Sequence, residues 1–491
     1  MNFYYYHIIE ETVMQIYNSL TRKKEELIPN EPGKISMYTC GPTVYHFAHI
    51  GNLRTYIMED VLEKYLAYTG LEVTRVMNIT DVGHLTGDGD DGEDKMLKGA
   101  EREKKTVMQI AEYYTDAFFA DCVKLNIKRP TYVQPATACI DDFIKVIETL
   151  IEKGYAYLAG GNVYFDTSKL EQYYLFNDFK EEDLSVGVRD GVGEDSNKRN
   201  KADFVLWFTK SKFENQELKW DSPWGVGYPG WHIECSCIAM KYLADRLDIH
   251  CGGIDNMFPH HTNEIAQSEA YIGHKWCNYW FHVHHLNTNS GKMSKSKGEF
   301  LTVSLLESRG YDPMAYRFFC MQSHYRKSLV FSYENLDNAT VAFEKLVARI
   351  AALEPAKDET LDTAAFEALD AKFREALDND LNTSLAVTAL YDVLKASTNA
   401  TTKLALIESF DRVLSLSLIE KAEALKTKKE ETAAAPSADG ISTEEIESLI
   451  AARAAAKKER NFAEADRIRE YLASRGVTLK DTREGTLYTI E

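Results

Sequence analysis

Four side chains of metal-binding type, Cys40, Cys235, His260 and Glu264, are scattered along this chain of 491 residues. The last two lie in Phe258-Pro259-His260-His261-Thr262-Asn263-Glu264. A helix beginning at Pro259 would stack positions 260 and 264 one turn apart on one face, so both could hold a single ion. Spacing does not choose His260 over His261, because 261 and 264 are also helix neighbours. Taken singly, each cysteine reads more readily as a small buried apolar residue. Two further segments carry phosphate-type chemistry. His49-Ile50-Gly51-Asn52 opens a helix and so places an imidazole and free backbone amides where phosphates bind. Gly291-Lys292-Met293-Ser294-Lys295-Ser296-Lys297-Gly298 is a small-residue loop with three lysines. Alone, the first reads as a capped surface turn and the second as a solvated basic turn.

These residues need a scaffold, and the hydrophobic pattern supplies one. Tyr38-Thr39 reads as a strand edge running into Cys40-Gly41-Pro42-Thr43, Leu53 to Leu66 has helical spacing, and Val73 to Ile79 is a second strand. A parallel α/β sheet starts there. Thr106 to Leu125 and Ile140 to Ile151 predict amphipathic helices, and Asn162 to Phe165 and Phe204 to Phe208 predict strands. Residues 120 to 225 are expected to form an insertion. The sheet resumes at Leu247 to His250 and ends in glycines that let backbone approach a ligand. Segments 334–354, 362–378, 381–397 and 402–424 fit a helix bundle, 426–440 a mobile linker, and 444–460 with 462–474 a helical hairpin followed by two short strands from Val477 to Ile490. No repeat is evident.

Composition narrows the function. Apolar content of 44% and charged content of 27% describe an ordinary soluble protein. The net charge of −19 argues against broad electrostatic adhesion to nucleic acid or to an anionic membrane. From Ser442 to Glu491, nine Lys or Arg against ten Asp or Glu leave a net of only −1, so the tail is the least acidic region. Eight cysteines without a C-x-x-C pair read as reduced thiols. Met1 to Val13 lacks the marks of a signal or transit peptide, and no apolar run approaches the roughly 20 residues of a membrane span. A cytoplasmic monomer is expected.

In that order along the chain, the His49 segment, Gly253-x-Asp255 and the lysine loop resemble the nucleotide-binding signatures of class I aminoacyl-tRNA synthetases. Cys40-Gly41-Pro42-Thr43, Gly230-Trp231-His232-Ile233-Glu234-Cys235-Ser236, Asp248-Ile249-His250 with Gly252-Gly253, and Phe258-Pro259-His260-His261-x-Asn263-Glu264 resemble the cysteinyl-tRNA synthetases, from about Met14 to the C-terminus. The resemblance implies a Rossmann-type α/β catalytic domain at 37–310 with an insertion, preceded by a lead-in at 1–36. An α-helical bundle at 311–425, a linker at 426–441 and a small α+β anticodon-recognition module at 442–491 would follow.

It also implies one Zn²⁺ on Cys40, Cys235, His260 and Glu264, and ATP with Mg²⁺ bound by His49, Asn52, Gly253, Asp255, Lys292 and Lys295. Of these, His49, Asn52, Lys292 and Lys295 would be catalytic, and Thr80, Trp231 and His250 would line the amino-acid pocket. The reaction implied is activation of L-cysteine to cysteinyl-adenylate, then transfer to the 3′-terminal adenosine of tRNA(Cys). Arg453, Lys457, Lys458, Arg460, Arg467 and Arg469 read equally as a face toward the tRNA and as a solvated helical face. Zinc suits the task, because packing separates thiol from hydroxyl by roughly 10 to 200-fold at best, whereas a metal that prefers thiolate adds direct bonding.

The chain departs from the family pattern at several places. Asn52 stands for the second histidine of the first signature, an acidic loop is inserted at 83–94, Cys251 replaces a glycine beside the zinc pocket, and residues 1–13 precede the usual start. Two other readings share part of the pattern: a zinc-dependent cysteine:amino-sugar ligase, which needs no anticodon-binding end, and an inactive zinc-stabilised RNA-binding protein.

Overall fold

The computed structural model describes residues 14–82, 106–176, 195–210, 218–288, 291–292, 300–434, 443–458, 461–482 and 485–490. The chain divides into two units, Met1–Lys345 with Pro355–Leu416 and Leu346–Glu354 with Ser417–Glu491.

The first unit is built on a five-stranded parallel sheet. Its spatial order is Cys277–Val283, Leu247–Gly253, Lys34–Thr39, Glu72–Ile79, Tyr132–Pro135. Strand Leu247–Gly253 and the carboxyl half of Lys34–Thr39 are buried on both faces, as strands sandwiched between helices must be. Their register sets His250 beside Tyr38 and Cys251 beside Thr39, so the ends of three strands meet at Cys40, Thr80 and Gly252. That is where open α/β sheets bind ligands.

The insertion expected from residue 120 begins later. Tyr132–Pro135 pairs with Val76–Ile79 as the edge of the main sheet. Helix Ile140–Glu152 then turns Phe143, Val146, Ile147 and Leu150 into the core shared with Ile238 and Ile265. What is inserted is a four-stranded antiparallel sheet, Ala156–Ala159, Asn162–Phe165, Phe204–Phe208 and Tyr228–Pro229.

Helix Ile50–Tyr68 carries buried charges as well as apolar residues. Asp60 accepts from Arg317 at 2.6 Å, from Lys64 at 2.7 Å and from the Lys128 amide at 2.7 Å. Glu63 pairs with Arg75 at 2.9 Å. Glu59 is also fully buried, and burial foremost lifts its carboxyl to about 8, against the nearby Arg75 charge that pulls the other way. The folded chain thus keeps a proton that the unfolded chain releases in the ordinary carboxylate range. The stability this confers is complete below that range and is lost as pH rises toward 8. Glu59→Gln is expected to remove the decline, so that wild-type thermal stability falls relative to the variant between about pH 5 and about pH 8, at no more than about 1.4 kcal/mol per pH unit. Parallel melting-temperature curves would refute this.

Helices Thr363–Asp378, Thr383–Lys395 and Ala400–Leu414 pack around Phe373 and Phe410, whose rings stack 3.9 Å apart. The helix expected over 402–424 is broken after Leu414. Ser415 and Ser417 take left-handed φ of 51° and 54°, and the Asp411 carboxylate captures the Leu416 amide at 2.6 Å. Apolar spacing continues across the break, which hides it from a periodicity reading.

In the second unit, helix Leu418–Ala434 runs through much of the expected linker, since its Ala, Lys and Glu residues are strong helix formers. Helices Thr443–Lys458 and Phe462–Ala473 bury Ile446, Ile468 and Leu472 against Val477 of the hairpin Val477–Thr482 and Gly485–Ile490. Arg453 is buried and grips Asp481 with both terminal nitrogens, at 2.8 and 3.0 Å. It builds the module rather than facing a ligand. Lys457 also meets Asp481 and Arg467 pairs with Glu464, while Lys458 and Arg469 are exposed. Arg460 lies outside the described residues. Among the described residues no helix is long and apolar enough to cross a membrane.

Candidate active site

A cavity of 390 Å³ opens at the carboxyl ends of the central strands. Cys40 follows Lys34–Thr39 directly, and its amide bonds the Cys251 carbonyl. Gly41 comes next because nothing larger fits. A Cβ there would stand 1.6 Å from the Asn78 carbonyl oxygen, and its amide donates to the Asn78 side chain at 2.7 Å. Cys235 lies one turn into helix Trp231–Leu243.

Pro259 does not start a helix. Met257–His261 is a kinked turn with a cis Phe258-Pro259 bond, and the helix proper is Thr262–Ile272. His260 and Glu264 nevertheless face each other, Nε2 to Oε1 at 3.1 Å. The ligand atoms of Cys40, Cys235, His260 and Glu264 all lie within 4.8 Å of one another. The two sulfurs are 4.0 Å apart, Cys235 Sγ is 3.6 Å from His260 Nε2, and Cys40 Sγ is 3.9 Å from Glu264 Oε1. A tetrahedral zinc site with bonds of about 2.0–2.3 Å has edges of about 3.3–3.8 Å, so the donors fit such an ion with little movement.

His261 also approaches, with Nε2 3.3 Å from Cys40 Sγ, and Cys40, His250, His261 and Glu264 form an overlapping set of the same size. The two sets differ in chemistry. The first offers two sulfurs, which suit a borderline-soft ion. It also keeps Cys40 and His260 on the cavity wall, whereas His250 and His261 stand behind it.

Burial, with Cys235 next, raises the Cys40 thiol well above its usual range, and burial likewise raises Glu264. Burial lowers His250 and His261. Without a cation these groups are held neutral; a bound dication would displace protons from the acids and offset the cost of charging them. Outer partners fix the orientation. His260 Nδ1 meets His232 Nδ1 at 2.7 Å, Glu264 Oε2 meets His250 Nε2 at 2.9 Å, and His261 Nδ1 meets His282 Nε2 at 2.7 Å. His232 and His282 carry no spacing signal, and sequence reasoning missed them.

His49 caps helix Ile50–Tyr68, its Nδ1 accepting from the Asn52 amide at 3.1 Å. His49, Asn52, Trp231, Gly253 and Asp255 all line the cavity, and the Trp231 ring lies 5.2 Å from that of His260. Thr80 and His250 do not line it. The Thr80 hydroxyl donates to Glu234 at 2.8 Å, and the His250 ring stacks on Trp280 at 4.4 Å. Cys251, read as a thiol beside the pocket, is fully buried. Strand alternation turns it away from His250, and burial foremost lifts its thiol well above the usual range, leaving it inert. Of Lys292 only the backbone is described, paired with Asn287. Lys295 and the 83–94 loop lie outside the described residues.

Residues 26–341 match the family of tRNA synthetases class I (C) catalytic domains, 372–429 the DALR domain, and 442–488 the cysteinyl-tRNA ligase anticodon binding domain. A cysteine–tRNA ligase of Treponema denticola is 45% identical, covering 95% of this chain and 98% of its own. One from Borreliella burgdorferi is 42% identical, covering 96% and 99%. The solved Mycobacterium tuberculosis methionyl-tRNA synthetase in complex with methionyl-adenylate covers 82% of this chain and 94% of its own, with a TM-score of 0.50 and 15% identity, a likeness of fold alone.

Proposed function

This chain belongs to the cysteine–tRNA ligase family, and we propose that it makes cysteinyl-adenylate and pyrophosphate from L-cysteine and ATP before passing cysteine to the 3′-terminal adenosine of tRNA(Cys). It is a ligase. The match of 442–488 to an anticodon binding domain leaves the amino-sugar alternative without support.

The observation that carries the rest is the convergence of Cys40, Cys235, His260 and Glu264 at the cavity wall. These residues would hold Zn²⁺, which when bound prefers thiolate to hydroxyl and so supplies a selectivity that packing lacks. Trp231 closes the cavity beside His260. Asp255 on the cavity wall would take the ribose hydroxyls, and the Gly51 amide at the start of helix Ile50–Tyr68, with the His49 and Asn52 side chains, would take phosphate oxygens. Asn52 contacts phosphate as a neutral donor. Lys292 and Lys295, with Mg²⁺, would offset the charge that develops on the phosphates. No side chain acts as nucleophile, so the rate comes from positioning and electrostatics. The bundle and the 442–488 module would hold the tRNA, the latter with Lys458 and Arg469 but not Arg453.

The test is cysteine-dependent ATP–pyrophosphate exchange, followed by charging of tRNA(Cys) and metal analysis of the same preparation. Exchange, charging and about one zinc per chain are expected. Exchange without charging, or full activity without a transition metal, would overturn the reading.

A further inference from the structure

Arg54 is fully buried, one turn beyond the His49–Asn52 cap. Among the described residues its guanidinium meets only backbone carbonyls. Nη1 donates to His284 and, at 3.0 Å, to His285; Nη2 donates to Lys327 at 2.8 Å and, more weakly, to His324 at 3.4 Å. A buried cation without a counter-ion is expensive, so this arrangement calls for a reason beyond packing.

The carbonyls belong to two segments that pair. His284–His285 lead into strand Leu286–Thr288, and the turn His324–Lys327 leads into Leu329–Phe331, which runs parallel to it. The other edge of Leu286–Thr288 pairs with Gly291–Lys292, where the lysine loop starts. His284, His285 and Leu286 line the cavity, and a Cβ on Gly51 would stand only 3.7 Å from Leu286 Cβ. Arg54 therefore joins the phosphate-facing helix end to the strand Leu286–Thr288, whose other edge holds Gly291–Lys292.

The turn has a second holder in the helix bundle. Asp380, fully buried, accepts from the Tyr325 hydroxyl at 2.5 Å, from Arg326 at 2.7 Å and from the Tyr17 amide at 2.9 Å. It and Leu381 take left-handed φ of 64° and 49°, a backbone that non-glycine residues keep only where surrounding bonds dictate it.

We propose that Arg54 is a positioning residue for adenylate formation, and that Asp380, through the same turn, acts with it to keep the cavity strand Leu286–Thr288 and its partner Gly291–Lys292 in register with the phosphate-binding helix end. This rests on the cavity being the ATP site. The test uses full-length Arg54→Lys, which keeps the charge but loses the fork of hydrogen bonds. In the exchange assay its KM for ATP is expected to rise about 10-fold or more and its kcat/KM for ATP to fall about 100-fold, as for reactants displaced by about an ångström. Its KM for cysteine and its zinc content stay at wild-type values. Asp380→Asn shows the same signature in weaker form, and the double variant is no worse than Arg54→Lys, because both act on one turn. If Arg54→Lys does not fold, Asp380→Asn carries the KM readout. A loss of kcat with both KM values unchanged marks a smaller fraction of folded enzyme and overturns the proposal; so does additivity in the double variant. Failure of the wild type to exchange at all would instead overturn the functional reading, and it is seen before any variant is made.

Discussion

Cys235→Ser is expected to fold, to lose its metal and to lose at least about 100-fold in kcat/KM for cysteine. Changes to partners one layer outside a metal site already cost about 10 to 100-fold, and removal of a ligand goes further. The sulfurs of Cys40 and Cys235 stand 4.0 Å apart, close to the edge of a zinc tetrahedron. A serine hydroxyl is shorter and harder, so it neither reaches nor suits the ion. The preference for cysteine over serine should then fall toward the roughly 10 to 200-fold that packing supplies. Cys237→Ser is the control. Cys237 lies on the same helix, fully buried among apolar residues, and is expected to lose stability while keeping metal and selectivity. Metal analysis and exchange with cysteine and with serine decide the matter. Full activity in metal-free Cys235→Ser would refute the proposed ligand set.

Asp60→Ala is expected to be the most destabilising of these substitutions, by about 3–5 kcal/mol. Asp60 is the only carboxylate on Arg317 among the described residues. The other Arg317 bonds go to the carbonyls of Leu414 and Leu125, which join the end of a bundle helix to the catalytic unit's own helix. Truncation leaves a buried cation unpaired. Burial alone would raise the Asp60 carboxyl, but Arg317, Lys64 and Arg75 outweigh it and hold it below its ordinary value. Stability from this source is therefore present above the ordinary carboxylate range and lost as pH falls through it. At neutral pH the melting temperature should drop on the order of 5–10 °C, and the gap to wild type should narrow in acid. A shift under about 1 °C at neutral pH would show that Arg317 is satisfied by carbonyls alone.

The metal site was legible because the family motifs carry it, but its geometry was not. His260 and His261 remain equal by spacing, and in the structure each comes within reach of a site cysteine, His260 of Cys235 and His261 of Cys40. Only the donor types and the cavity wall separate them. Thr80 and His250 read as pocket-lining residues, yet one holds Glu234 and the other Glu264 from behind. Arg54 carried no signal, since an arginine within a helical segment ordinarily faces solvent.

What the sequence settled by itself is local. Hydrophobic period marks the helix from Ile140, because the side chains that bury a helix recur at its own spacing, and short runs rich in aromatic and β-branched residues mark the strands Asn162–Phe165 and Phe204–Phe208, which are buried throughout. Tertiary structure alone decided what depends on partners far apart in the chain. It set Tyr132–Pro135 as a fifth strand of the main sheet, held the helix break at Ser415, whose carbonyl accepts from the Asn126 side chain, and turned Arg453 inward onto Asp481. Strand pairing, burial of charge and the meeting of four ligands from three segments are non-local, and no period along the chain encodes them.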